Sequence, residues 1–235
     1  MLLGSRIISL SLLLAGIVAL GWMLPFAQNT LISWASSTRA ESEIRDWRKR
    51  FQQEAISPYT TIAPLRAAKK AVEATPSNAD AVMQLAEIWF WRGHFEHDET
   101  ARYTAFTEAA KLYERAVVLR PHWPHHYRNL HDLYVLLGRS MAKRQWALRG
   151  VSRYGLWSPT LQFEFLERVL PIRFQLDASL QQSLTSLISF LVHDADARRQ
   201  QRLYRLLASR GEAAAYCGQY YATLWAQQYC FGPRL

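Results

Sequence analysis

From Ile7 to Leu24 the chain reads IISLSLLLAGIVALGWML, eighteen residues without a charge, and no other feature constrains its fold as strongly. A helix of that length spans about 27 Å, against ~30 Å for the hydrocarbon core of a bilayer. Continuing it through Pro25-Phe26-Ala27 closes the gap. Trp22 and Trp34 suit the interfacial zone, where an amphipathic ring sits between lipid and water. Residues 1–27 therefore read as a single transmembrane anchor. The other reading is a cleaved signal peptide, ending near Pro25-Phe26-Ala27 or Ser33-Trp34-Ala35. The apolar run exceeds the roughly 7–15 residues of a signal core, which favours the anchor.

Flanking charge sets an expected orientation. Arg6 and the free amine precede the run, residues 28–38 hold no Lys or Arg, and the first basic residue beyond them is Arg39. The positive-inside bias leaves the N-terminus in the cytoplasm and the body across the membrane, although the Arg45–Arg50 cluster weakens it. The net charge of +9 is spread over helical segments, with local clusters at residues 45–50 and 198–202. No zinc, helix-turn-helix or stacking-platform signature accompanies those clusters. They read as solvated helix faces, and nucleic acid is not an expected partner.

The rest of the chain is patterned for helices. Glycine and proline number only 10 and 9, and the prolines fall mainly between apolar-periodic segments. Residues 28–60 read as a juxtamembrane linker followed by a charged helix from about Ala40 to Ala55, broken at Ile56-Ser57-Pro58-Tyr59. Residues 61–155 carry an internal repeat. Val82-x2-Leu85-Ala86-x2-Trp89 is followed by Gly93 at an expected turn, then by Ala109-x3-Tyr113, Ala116 and Pro121. A second copy runs Tyr127-x2-Leu130-His131-x2-Tyr134, Gly138 and Ala142-x3-Trp146. Upstream, Ala71 to Pro76 repeats the Ala116 to Pro121 spacing, as the trailing half of an earlier copy.

These positions resemble the tetratricopeptide repeat, a helix pair of roughly 34 residues in which large side chains fill the groove between helices and small ones permit close crossing. The resemblance is degenerate. Pro76 and Pro121 stand 45 residues apart, eleven more than one repeat, and the surplus lies within Glu96 to Thr107 as a loop or as longer helices. His131 stands where the family has a small residue, and no proline closes the second copy. Residues 156–235 continue as helices near 159–170, 179–192, 197–209 and 212–228, a C-terminal region that caps the open end of the array. The expected fold class is thus all-α: one transmembrane helix, a short repeat-like array and a helical cap.

Chemistry is thinly represented. His122, His125, His126 and His131 cluster in PHWPHHYRNLH. On a helix His126 and His131 diverge by about 140°, and no nearby Cys or Glu completes a metal set. His94, His97, Asp98 and Glu99 form a second polar knot, without a nucleophile, phosphate loop or cofactor fingerprint beside it. No catalytic, cofactor or metal site is expected, and the chain reads as non-enzymatic. The nine Trp read chiefly as packing between helices, with stacking on sugar rings or a partner helix as the sharper alternative. Cys217 and Cys230 are a candidate disulfide in an oxidising compartment. Thirteen residues of unbroken helix would hold them about 19.5 Å apart, against the ~7 Å a bridge allows, so a bond requires a bend between them.

The whole layout is similar to the VpsP-like family of exopolysaccharide biosynthesis accessory proteins. That resemblance implies a cell-envelope protein of the bacterial inner membrane that supports polymer synthesis or export through protein–protein contacts, with an acidic polysaccharide as a compatible ligand. The alternative is an assembly factor for pilus, secretion or cytochrome maturation; a histidine-dependent metal enzyme is a further one.

Overall fold

A helix of 49 residues, α1 (Leu2–Arg50), opens the chain. The computed structural model describes the backbone of residues 2–51 and 53–231 and, within α1, the side chains of residues 18, 21, 23, 24, 27–35 and 37–50. All regular structure among the described residues is helical. The chain divides into two units, residues 1–121 and 122–235.

In the first unit α1 changes character along its length. Its described residues from Val18 to Ile32 are exposed, whereas Ser33, Ala40, Ile44 and Trp47 are buried on one face. That face packs on α2 (Ile62–Ala74) and α3 (Ala79–Phe95). Ser33 Oγ lies 2.9 Å from Thr75 Oγ1, which places the middle of α1 beside the end of α2. The expected linker over 28–38 is therefore absent: these residues continue the helix, and no proline or capping residue among them stops it. The trailing half-repeat at Ala71–Pro76 finds its leading helix in the second half of α1. Among the described residues no helix is long and apolar enough to cross a membrane. Most side chains of the expected span, residues 7–27, lie outside the described residues.

α3 begins where Asn78 accepts hydrogen bonds from the Asp80 and Ala81 amides, a cap that contributes about 1 kcal/mol. It pairs with α4 (Glu99–Leu119), whose own cap is Asp98. The eleven surplus residues lengthen both helices, and only residues 96–98 separate them. Gly93 accordingly lies inside α3, not at a turn. A β-carbon there would stand 2.5 Å from the Phe106 ring, so glycine is needed for close crossing.

The second unit pairs α5 (Pro124–Leu136) with α6 (Met141–Gly155), joined through Gly138 at φ +62°. Beyond them come α7 (Pro159–Val169), a 3₁₀ segment (Leu170–Gln175), α8 (Ala178–His193) and α9 (Ala197–Ser209). The expected last helix over 212–228 is two helices, α10 (Ala213–Gln219) and α11 (Leu224–Tyr229). The intervening bend brings Cys217 and Cys230 to 5.9 Å between Cα atoms, and they are disulfide-bonded. Leu161, Phe165, Leu166, Leu180, Leu191, Leu203, Leu207 and Trp225 are nearly inaccessible and form the second core.

Candidate functional site

Helical spacing on α6 builds a solvent-accessible cluster of functional groups. Trp146, Gly150 and Arg153 recur at intervals of four and three residues within α6, so they share one face, with Arg149 and Tyr154 on its flanks; Trp157 lies beyond the helix end, in the turn before α7. Trp146 is 41% exposed and Trp157 76% exposed. The Tyr127 ring of α5 lies beneath, its centroid 5.5 Å from Trp146 and 6.0 Å from Tyr154. Gly150 lets it come that close, since a β-carbon at 150 would stand 2.1 Å from the ring. The result is an open cleft of about 390 Å³, lined by these residues of α5 and α6 together with Ser152 and Ser179.

Charge within the cleft is cationic. The Arg153 guanidinium lies over the Tyr154 ring at 5.4 Å and makes no ion pair among the described residues. Arg149 pairs with Asp177. Burial and the neighbouring Tyr154 push the Tyr127 phenol up while Arg153 pulls it down; it stays neutral and offers a hydrogen bond rather than a charge.

The other polar knot resolves into structural parts. His94 is ringed by Phe51, Phe90, Trp91 and Phe106, with centroids 5.5, 4.5, 6.1 and 5.2 Å away. Burial, assisted by Arg102, lowers its pKa and holds the imidazole neutral. Asp98 is spent on capping α4, Glu96 pairs with Arg92 at 3.1 Å, and the His97 carbonyl accepts from Arg102.

No protein-family model matches the sequence, and no curated protein does. Solved structures similar to it include the following two. One is TTC0263, a tetratricopeptide protein of Thermus thermophilus, at 15% identity over 78% of this chain and 97% of that one, with a TM-score of 0.49. The other is PilF of Pseudomonas aeruginosa, at 17% identity over 83% of this chain and 98% of that one, with a TM-score of 0.31. The helix pairs of this chain stand on their own packing.

Of the first motif copy, Val82, Leu85, Ala86, Ala109, Tyr113 and Ala116 are buried. Trp89 is half-buried under Lys69 and Arg92, and Pro121 is exposed in the turn after α4. Tyr127, Leu130 and Tyr134 are buried in α5, as is His131. The second copy fails in its trailing half: Ala142 and Trp146 are exposed, and Ala147, Leu148 and Val151 are buried instead. α6 starts at Met141, which rotates those two positions outward.

The histidine cluster splits. His126 is fully buried, His131 lies 3.2 Å from Asp132, and His122 meets Tyr154 edge-on at 5.0 Å. Among the described residues no group of three metal-ligating side chains forms. In the sequence Trp146 and Trp157 read as packing, and Arg149, Arg153 and Tyr154 belong to no motif. Rings at 146 and 154 with guanidinium groups at 149 and 153 along α6 are the signal that marks this face, and Trp157 lies beyond its end.

Proposed function

We propose that the chain is a non-catalytic helical scaffold tethered to the bacterial inner membrane, with its N-terminus in the cytoplasm and its body outside. The supporting observation is the division of labour within α1. One continuous helix seats Ser33, Ala40, Ile44 and Trp47 in the first unit and leaves Met23, Leu24 and Leu31 two-thirds exposed. An exposed apolar stretch fixed to a packed domain by an unbroken helix is stable when lipid covers it. The body would then stand close to the bilayer surface, because only about 9 Å of helix separates Ala27 from Ser33.

The role of the body is contact rather than catalysis: its candidate acids and bases act as caps, ion pairs and core groups. We assign it to exopolysaccharide biosynthesis or export, on the strength of the anchored layout and the cationic second unit. The test is flotation of the full chain with vesicles of bacterial lipid through a density gradient in carbonate. The intact protein floats and a version lacking residues 2–27 stays at the bottom; an intact chain released by carbonate overturns the tether. Crosslinking through residues 80–150 in cells should then capture a polysaccharide synthase or exporter; capture of pilus or secretion components overturns the assigned process.

A further inference from the structure

The charge of the chain is concentrated in its second unit, where residues 122–235 hold fourteen Arg and Lys against seven Asp and Glu. Six of those carboxylates are already taken. Asp132, Glu164, Glu167, Asp177, Asp196 and Glu212 each pair with an arginine of the same unit. Among the described residues the unit therefore has too few carboxylates to balance its cations. On α6 Arg149 and Arg153 stand beside the exposed Trp146 and the half-buried Tyr154.

We propose that this face of α6 binds an acidic oligosaccharide, one that carries carboxylates on its sugar rings. The flat C–H face of a pyranose is weakly positive and matches the negative π face of an indole. Trp146 offers that face at 41% exposure, and Arg153 follows about 10 Å further along α6. There its planar fork can grip a ring carboxylate in bidentate fashion. Ser152 and Ser179 supply hydroxyl partners in the cleft.

An acidic peptide is less well served. The α6 main chain is committed to its own helix, no strand edge is offered among the described residues for main-chain pairing, and the cleft is shallow and polar rather than an apolar slot. Nucleic acid would need successive rings to receive successive bases, whereas α6 among its described residues exposes a single ring, Trp146.

The proposal gives the polysaccharide reading above a ligand and a site, and rests on that reading for its setting. Its test does not involve the membrane. The full chain in detergent is titrated calorimetrically with tetragalacturonate, cellotetraose, hexaglutamate and a thymidine hexanucleotide. Tetragalacturonate should bind at least tenfold more tightly than the other three. Trp146→Ala and Arg153→Ala should each weaken it about tenfold, Arg153→Lys less, and Arg198→Ala on α9 not at all. Circular dichroism confirms that each variant is folded. No binding of tetragalacturonate, equal binding of hexaglutamate or the oligonucleotide, or unchanged affinity in the two alanine variants overturns the site. A chain that floats with vesicles but fails this titration loses the ligand and keeps the tether.

Discussion

At Gly150 a β-carbon would collide with the Tyr127 ring at 2.1 Å, and both residues sit on helices whose other contacts hold them in place. Tyr127 is buried, and its ring can give way only by turning into the cleft it lines. Overpacking of this kind typically costs about 1–3 kcal/mol. Gly150→Ala should lower the unfolding free energy by that amount in urea titrations, and it should also distort the cleft above. Gly93→Ala repeats the experiment in the first unit, against Phe106. Gly218 is the control: a β-carbon there would meet nothing within 4 Å, and alanine should change stability by well under about 1 kcal/mol. A Gly150→Ala protein as stable as the parent would mean that α5 and α6 separate more easily than their packing implies.

The aromatic box at the end of α3 makes a prediction about acid. His94 loses most of its hydration on folding and faces Arg102, so its folded pKa lies below the ordinary 6.5. The unfolded chain then takes up the proton first, and stability falls as pH drops from about 6.5 toward the folded pKa. His94→Phe preserves the ring packing and removes the titration. The urea midpoint of the parent should fall between pH 7.5 and 5.5 by more than that of the variant; equal falls would show that His94 is not responsible. This box also shows what is legible in the sequence and what is not. The small residues Ala86, Ala109 and Ala116 mark helix crossings from local chemistry alone, and the first helix pair follows them. The box itself draws Phe51, Phe90, Trp91, His94 and Phe106 from α3, α4 and the chain just after α1, so only tertiary structure brings it together. Linker and helix look alike over residues 28–38, because polar residues without a breaker suit either. Trp146 escapes the repeat pattern for a related reason: an apparent repeat spacing places a ring in the core only if the helix starts in the expected register.

Across the whole molecule the proposed anchor and the terminal disulfide constrain one another. The bridge between Cys217 and Cys230 closes only because residues 220–223 break the last helix, and such a bond persists in an oxidising compartment while a reducing one opens it. The proposed orientation therefore predicts a closed bridge in living cells. It rests on few charges: Arg6 on one side of the apolar run, and no Lys or Arg in residues 28–38 on the other. Orientation follows the balance of Lys and Arg within about 15–20 residues of a span, and the Arg45–Arg50 cluster already weighs against the proposed arrangement. Combining Arg6→Ala with Gln28→Arg and Asn29→Arg should therefore invert the chain, placing both cysteines in the cytoplasm. Gln28 and Asn29 are exposed on α1, so the substitutions disturb no core contact. After acid trapping and alkylation with a mass-tagged maleimide, the native chain should carry no adduct and the inverted chain two. A native chain with two adducts places its body in a reducing compartment and reverses the proposed topology. Two adducts on the inverted chain alone would show that a handful of charges decides on which side of the membrane the α6 face is displayed.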